Sequence, residues 1–367
     1  MGNISLRVEI QNVGIKFSSN FEPLVAFAES HFNSLSNGCG AIPSPAAVES
    51  RLEWIEAVAP LHSTRTISEK NRFDRALEFC QGEIVWTRID DFSDLRLSLF
   101  PLKDRLRLVG QHFFFLDRKP LRDRLKKVWF NRRLASLRRK RFSTLIYYMI
   151  YYPCFWRLEQ NGLLPLHAAA VDLGGAGVVL CGLPGSGKST LSLALLAEPG
   201  SRLLSDNIIF YDSERVFSCP EPVLVDDRSV DLIGPARSVL RPVGRRHVFH
   251  RSWCHVAPDR CVDQVVPRVF FFVALGEKTA VRPLSAEEAY RRFIAANTLA
   301  KEVRRYLIYR SVLELGTTGN GTSNGGNHLK LRELLSHSPT YELTIGWNRG
   351  VASAVSLVES LAHESRS

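Results

Sequence analysis

The sequence predicts an α/β domain over residues 158–367, preceded by an α+β region over residues 1–117. Three observations support this division. Short alternating runs such as Ile4–Ile10 are typical of strands in the first region. Apolar runs and helix-forming segments alternate from Leu166 onward. A glycine-rich string at residues 182–189 lies between an apolar run and a helix-forming run, as in a strand–loop–helix unit.

The composition is that of a globular protein with a buried core. Of the 367 residues, 45% are hydrophobic and 23% are charged, which excludes a disordered tail, a collagen and a disulfide miniprotein. At about 100–200 residues per domain, this length favours two or three domains.

The N-terminal region carries no recognisable catalytic pattern. Leu95–Leu99 alternates as a strand does, whereas the spacing of apolar residues in Val48–Val58 predicts a helix. We therefore assign no role to residues 1–117.

Residues 118–157 are predicted to connect the two regions as a basic helix followed by an aromatic one. Twelve Lys or Arg and one acid, Asp123, lie in residues 118–141, so this segment carries the whole net charge of +11. The apolar helix predicted from Ser143 to about Tyr152 is rich in tyrosine.

The basic segment at residues 118–141 has several interpretations. It could bind an acidic protein, lie on anionic lipid or pack as a solvated helix face. No base-reading motif supports nucleic acid as its ligand. The sequence leaves open a homo-oligomer.

The cysteines and the N-terminus favour a cytoplasmic protein, with peripheral membrane attachment as an alternative. The seven cysteines are scattered and form no C-x-x-C pair. No secretory signal is evident. The longest apolar stretch, residues 145–156, is interrupted by Pro153 and is shorter than a membrane span.

The C-terminal part contains a segment whose composition is typical of a loop, followed by one predicted strand and one predicted helix. Residues 316–327 are rich in Gly, Asn and Thr and predict a flexible loop. Tyr341–Ile345 predicts a strand and Val351–Leu361 predicts a closing helix.

The strongest motif is the string Gly-Leu-Pro-Gly-Ser-Gly-Lys-Ser at residues 182–189, which matches the phosphate-binding pattern G-x-x-x-x-G-K-[ST]. Val178–Cys181 predicts a strand before it, and Lys188–Ala197 predicts a helix after it. Glycines allow successive backbone N–H groups to approach phosphate oxygens, and the helix N-terminus favours an anion. Lys188 is expected to reach the β- and γ-phosphates, and Ser189 to bind Mg²⁺.

Two carboxylates compete for a place near that metal. Asp206 follows the short apolar pair Leu203–Leu204, whereas Asp212 follows the longer hydrophobic run 208–211. Asp212 also suits a β-turn between two strands. Spacing alone does not decide between them.

Three elements in order resemble the catalytic domain of the bacterial HPr serine kinase/phosphorylase family. They are His167, about fifteen residues before Gly182, then the glycine string, then Ser205-Asp206-Asn207 after the helix. The resemblance covers residues 164–212 well and the rest of the domain in outline.

This resemblance implies a P-loop kinase fold akin to phosphoenolpyruvate carboxykinase, with ATP and Mg²⁺ as cofactors. It implies that Asp206, rather than Asp212, acts as base toward the acceptor hydroxyl and joins Ser189 at the metal, and that His167 lies beside the phosphates with Lys188. The expected nucleotide-binding residues are Gly182, Leu183, Pro184, Gly185, Ser186, Gly187, Lys188, Ser189 and Thr190.

Three departures from the family distinguish this chain. Asn207 stands where the family has a second Asp, and Thr190 stands where it has a Glu. The family's glycine-rich signature between the P-loop and the C-terminus has no good counterpart, since residues 234–237 match it poorly. A diverged kinase with an acceptor other than HPr is therefore expected.

A second grouping of metal-ligand types lies at residues 247–261. It contains His247, His250, Cys254, His255 and Cys261, but its spacing fits no structural zinc pattern. We interpret these residues as core thiols and surface imidazoles on a partly buried strand.

The sequence thus predicts an ATP- and Mg²⁺-dependent kinase that phosphorylates a hydroxyl of a protein, a peptide or a small molecule. The alternative is a nucleotide-binding regulatory module without transferase activity, which the loss of the second Asp at Asn207 favours.

Overall fold

The computed structural model describes residues 3–32, 46–57, 76–80, 82–87, 89, 94–115, 137–243, 251–317, 325–347 and 350–365. These residues form a mixed α/β protein with several sheets. The chain divides into two compact units: unit 1 is Met1–Ser30, Cys39–Arg157 and Ile308–Gly321, and unit 2 is His31–Gly38, Leu158–Leu307 and Thr322–Ser367. Within the described ranges, no helix is both long and apolar enough to cross a membrane.

Unit 1 is built on one mixed sheet. Among the described residues it has seven strands in the order β1-β2-β3-β7-β6-β5-β4. Their bounds are β1 Ile4–Ile10, β2 Val13–Ser19, β3 Val48–Ala57, β4 Leu77–Cys80, β5 Glu83–Trp86, β6 Leu95–Pro101 and β7 Leu106–Phe115. The strands predicted at Ile4–Ile10 and Leu95–Leu99 are confirmed.

The helix predicted at Val48–Val58 is wrong, because Val48–Ala57 is strand β3. This strand pairs in parallel with both β2 and β7, so its pairing partners come from distant parts of the chain. Its inward side chains alternate as Val48, Ser50, Leu52 and Trp54, all of them buried. The polar Ser50 at an inward position concealed this two-residue period.

The helices that begin in unit 1 are α1 at Glu22–Phe32, α2 at residues 137–146 and α3 at Tyr152–Gln160. A π-helical turn at Tyr147–Tyr151 joins α2 to α3. The predicted aromatic helix from Ser143 to about Tyr152 is therefore confirmed and continues further. Of the basic segment 118–141, residues 118–136 lie outside the described residues and 137–141 are helical.

Unit 2 contains a central sheet between two layers of helices. The described strands follow the order β11-β9-β10-β18-β20-β19. Their bounds are β9 Ala168–Leu173, β10 Ala176–Cys181, β11 Ser201–Ser205, β18 Pro267–Gly276, β19 Ala280–Pro283 and β20 Thr340–Gly346. The helices that begin in unit 2 are α4 Lys188–Leu195, α5 Ala286–Leu299, α6 Lys301–Gly316, α7 Gly325–Ser336 and α8 Gly350–Glu364, and residues 308–316 of α6 belong to unit 1.

The apolar runs of this sheet are buried on both faces. Val178 and Leu180 of β10 pack with α4 and α8, while Val179 and Cys181 pack with α5 and α7. A strand covered on both faces reads as a continuous apolar run, which is why the sequence pattern predicted β10 correctly. The predicted strand at 341–345 and the predicted closing helix at 351–361 are also confirmed.

Two smaller sheets complete unit 2. One has the order β17-β13-β12-β8 and the other the order β14-β16-β15. The bounds are β8 Leu164–Leu166, β12 Ile209–Tyr211, β13 Val216–Ser218, β14 Val223–Asp226, β15 Leu240–Pro242, β16 Arg251–Val256 and β17 Gln264–Val265.

The flexible loop predicted at residues 316–327 is wrong at both of its ends. Gly316 is the last residue of α6, and residues 325–327 form the first turn of α7. Residues 318–324 lie outside the described residues. Composition alone did not reveal the helical continuation at either end.

Candidate functional site

The glycine string forms the turn between β10 and α4, as its spacing predicted. Gly182, Gly185 and Gly187 have φ values of 147°, 84° and 95°, and residues other than glycine rarely adopt such positive φ values. A Cβ atom on Gly182 would lie 2.4 Å from the Val273 carbonyl oxygen of β18. Backbone conformation and close approach therefore both require glycine at position 182.

Sheet topology brings the predicted residues to the same edge as this loop. Strand β11 is antiparallel to β9, and β9 is antiparallel to β10, so the carboxyl ends of β10 and β11 lie at the edge where β9 begins. Asp206 directly follows β11 and His167 directly precedes β9. The Cys181 thiol donates to the His167 carbonyl oxygen at 3.7 Å, which joins β9 to the loop.

Lys188 is buried in the first turn of α4, and its ammonium group lies against the loop. Its Nζ donates to the carbonyl oxygens of Gly182 and Leu183 at 2.9 and 3.1 Å. Burial lowers the pKa of this amine, while Cys181 and Asp206 act in the opposite direction. The lysine is thus held at the loop by two neutral acceptors and by the charge of Asp206.

Asp206 is buried beside α4. The Ser192 hydroxyl donates to its Oδ1 at 3.2 Å. Burial raises the pKa of the Asp206 carboxyl, while hydrogen bonds from Ser189 and Ser192 and the charge of Lys188 lower it. Ser189, Lys188 and Asp206 are therefore neighbours, which is the placement that the family resemblance implied.

His167 is only 7% exposed, and its ring nitrogens have no hydrogen-bond partner of good geometry among the described residues. Burial, and then the charge of Lys188, lower the pKa of its imidazole to about 4, while the backbone of Asn207 acts in the opposite direction. The imidazole is therefore neutral near pH 7, with one donor and one acceptor nitrogen. Its backbone N–H donates to Asn297 Oδ1 of α5 at 2.8 Å, which fixes the position of the residue.

The remaining residues of the string differ in exposure. Leu183, Pro184 and Gly185 are exposed at the tip of the loop. The Ser186 hydroxyl is buried and lacks a hydrogen-bond partner in the described part of the chain. Thr190 donates to Ser229 Oγ at 3.3 Å. The loop thus presents both an exposed tip and a buried hydroxyl without a partner.

The structure separates the two competing carboxylates. Asp212 lies in the turn between β12 and β13, where its Oδ1 accepts the backbone N–H groups of Glu214 and Arg215 at 2.8 and 2.7 Å. This is the β-turn role that its sequence context suggested. Asp206, in contrast, lies beside Lys188.

Two further residues join the site that sequence reasoning did not single out. Ser192 lies four residues after Lys188, so helical spacing places both on one face of α4 and could have indicated it. Glu221 accepts a hydrogen bond from Asn207 Nδ2 at 3.0 Å. No local pattern indicated Glu221, because the chain returns to Asn207 only through the hairpin of β12 and β13.

The second grouping of metal-ligand types forms no metal site within the described residues, where no three such side chains converge. His247 and His250 lie outside the described residues. Cys254 and His255 lie on β16, the partly buried strand that the sequence predicted. Cys254 is buried, as predicted for a core thiol, and burial raises the pKa of its thiol. The same prediction is wrong for Cys261, whose residue is exposed.

Comparison with known proteins gives a weak structural likeness. The Hpr(Ser) kinase/phosphatase from Coxiella burnetii is 13% identical over 55% of this chain and 99% of that chain, with a TM-score of 0.27. This likeness is too slight to carry an argument about function. No protein-family model matches the chain, and no curated protein matches it.

Proposed function

We propose that this protein is an ATP- and Mg²⁺-dependent kinase related to HPr kinase, which transfers the γ-phosphoryl group to a hydroxyl of a protein, a peptide or a small molecule. The observation that carries the proposal is the meeting of Lys188, Ser189, Asp206 and His167 around a glycine loop at one sheet edge. A glycine turn with a purely structural role has no need of a buried lysine, a buried carboxyl and a buried imidazole beside it.

The loop and α4 would hold the triphosphate. The backbone N–H groups of residues 185–190 and the N-terminus of α4 favour anionic oxygens. Lys188 would exchange its two carbonyl acceptors for phosphate oxygens, which are stronger acceptors because they carry charge. Neutral His167 could donate one N–H to a phosphate oxygen without adding a second buried positive charge.

The residues at this edge fit Mg²⁺. A serine hydroxyl and a carboxylate are oxygen ligands that this ion prefers when it is bound together with phosphates, and Ser189 and Asp206 lie next to each other. When bound, Mg²⁺ neutralises charge on the phosphates during transfer. Burial of Asp206 would keep competing water from its carboxylate.

Asp206 would also act on the acceptor. Its raised pKa makes it a better base than an exposed carboxylate. The acceptor oxygen would form a bond to the γ-phosphorus while its proton passes to Asp206 Oδ2, and the bond to the β–γ bridging oxygen would break to release ADP. Positioning and charge stabilisation would supply most of the rate.

A regulatory nucleotide-binding module is the second candidate. Asn207 replaces a carboxylate expected in the family, and Lys188 is already hydrogen-bonded to the loop. Such a module would bind nucleotide and transfer no phosphate.

Incubation with γ-³²P-labelled ATP and a cell lysate distinguishes the two candidates. The kinase proposal expects label transfer by the wild type and its loss in Lys188→Ala, because the variant lacks the cation that would neutralise the β- and γ-phosphates. Asp206→Asn should reduce kcat by about 10²–10⁴, far more than it weakens ATP binding. Asp212→Asn, in the hairpin turn, is the matched control and should transfer label normally. Nucleotide binding without transfer would favour the regulatory module, and the reverse ranking of the two Asp variants would contradict the assignment of Asp206.

A further inference from the structure

The hairpin that follows Asn207 brings the chain back to the candidate site. Strands β12 and β13 pair from Ile209 with Ser218 at the open end, so residues 219–221 lie beside the turn that follows β11. The buried Ser205 hydroxyl lies within hydrogen-bond distance of both the Ile208 and Cys219 carbonyl oxygens, at 2.6 and 2.8 Å. The position of Glu221 beside Asn207, the residue that follows Asp206, is therefore fixed by backbone pairing and by a buried hydrogen bond.

Asn207 and Glu221 form a chemically matched pair. Asn207 Nδ2 donates to Glu221 Oε2 at 3.0 Å. An aspartate at position 207 would place two carboxylates in contact, and such a pair cannot readily ionise together. A neutral amide at position 207 therefore suits a carboxylate at Glu221, because the amide donates and the carboxylate accepts.

His167 gives an independent indication that this corner receives a polar ligand. Its imidazole is more than nine-tenths buried and lies near the Asn207 backbone and Lys188. Neither ring nitrogen has a hydrogen-bond partner of good geometry among the described residues. A buried ring nitrogen without a well-aligned partner is costly unless a ligand satisfies it.

We infer that Glu221, held by Asn207, is the second acidic group of the candidate site and strengthens the binding of the Mg²⁺–nucleotide complex. This inference rests on the proposed function. Glu221 is a positioning residue: its negative charge attracts the divalent cation, and its hydrogen bond fixes the turn that carries Asp206.

The test measures the affinity of the full-length chain for a fluorescent ATP analogue, with Mg²⁺ and with EDTA. The variants are Glu221→Gln and the exchanged pair Asn207→Asp/Glu221→Gln, in which the new amide can donate to the new carboxylate. Glu214→Gln, an exposed change in the turn of the same hairpin, is the matched control. Thermal unfolding of each variant reports any structural damage.

The expected result is specific to the metal. Glu221→Gln should reduce the Mg²⁺-dependent gain in affinity by about 10-fold or more, as the loss of groups supporting a metal ligand usually does, and leave affinity in EDTA unchanged. The exchanged pair should recover most of that gain, and Glu214→Gln should match the wild type.

Several results would overturn the inference. An undiminished Mg²⁺ effect in Glu221→Gln would do so while leaving the proposed function intact. Equal losses with Mg²⁺ and with EDTA would show a merely structural role. If Glu221→Gln does not fold, the exchanged pair is compared directly with the wild type. A smaller Mg²⁺-dependent gain in nucleotide affinity in the exchanged pair would then contradict the inference. A wild type that binds no nucleotide would overturn both proposals.

Discussion

Asp206 is a buried carboxyl with two serine hydroxyls and the Lys188 amine as polar neighbours. Burial disfavours its charged form more than these neighbours support it, so its pKa is raised. A group whose pKa is higher in the folded chain contributes stability below its ordinary pKa and loses that contribution as the pH rises. Folding therefore favours the neutral form of this carboxyl over the ionised form that the proposed reaction uses.

We expect Asp206→Asn to raise the melting temperature at pH 7, because a neutral amide avoids a buried charge and its oxygen can still accept from Ser192. The difference should shrink as the pH falls toward the ordinary Asp value of 3.8, where the wild-type carboxyl is also neutral. Thermal unfolding at pH 7 and pH 4 measures this, with Glu214→Gln as the exposed control. A variant that melts below the wild type at pH 7 would show that the charge is net stabilising.

At the scale of elements, the glycine loop offers a pair of substitutions that differ in one respect. Gly182 and Gly185 both have positive φ, but a Cβ atom meets the Val273 oxygen at 2.4 Å only at position 182 and has nothing within 4 Å at position 185. Gly185→Ala should cost about 1–2 kcal/mol from backbone strain. Gly182→Ala should cost clearly more, because β18 must move as well.

Chemical denaturation of the two alanine variants measures this difference, and nucleotide affinity provides a second readout. Equal destabilisation of the two variants would mean that β18 yields easily, and that close packing against Val273 does not fix the loop.

Helix α2 illustrates how a basic residue can serve the fold. The Arg138 guanidinium pairs with Glu56 at 2.6 Å and lies 5.7 and 5.5 Å from the ring centroids of Phe21 and Phe114. Arg141 pairs with Asp94 at 3.1 Å. These two residues of the basic segment 118–141 are therefore committed to contacts within unit 1, and docking on an acidic partner or anionic lipid remains a prediction for the rest of the segment.

Arg138→Ala should lower the free energy of unfolding of unit 1 by about 1 kcal/mol, the usual value for a partly exposed ion pair together with a cation–π contact. The exposed neighbour Lys140→Ala should change it by less than about 0.5 kcal/mol. Urea denaturation compares the two. If Arg138→Ala is as stable as Lys140→Ala, its contacts contribute nothing measurable, and it too is available for docking.

Local motifs were predictable from the sequence, and tertiary pairing was not. Neighbouring residues determine the strand before Gly182, the loop and α4, so the local sequence pattern was enough to predict them. Strand β3 depends on pairing with β2 and β7, and its helix prediction failed. Glu221 reaches Asn207 only through hairpin pairing. The choice of Asp206 over Asp212 required the family resemblance, because both follow apolar runs.

At the scale of the whole molecule, buried histidines in both units should make the free energy of unfolding depend on pH. Burial lowers the pKa of His112 in unit 1 and His167 in unit 2 to about 4 each, and that of His31 to about 3. A histidine with a lowered pKa contributes stability above its ordinary value of 6.5 and loses that contribution as the pH falls toward its folded value. The protein should therefore lose stability between pH 6.5 and about 4 as the unfolded chain binds protons that the folded chain excludes.

His112 allows this linkage to be tested away from the candidate site. It is fully buried beside the Trp54 ring, with Nδ1 3.2 Å from the Asp94 carbonyl oxygen. Of the groups that face it, Asp94 raises its pKa and Arg141 lowers it, both less than burial does.

His112→Gln should reduce the acid-induced loss of stability by up to about 1.4 kcal/mol per pH unit, the slope due to one proton. Urea unfolding of unit 1 at pH 7, 6 and 5, followed by Trp fluorescence, measures that slope, and exposed His337→Gln serves as the control. If the dependence of unfolding free energy on pH is unchanged in His112→Gln, this histidine does not contribute to acid unfolding. If His337→Gln reduces that dependence as much as His112→Gln does, the effect does not come from the buried imidazoles.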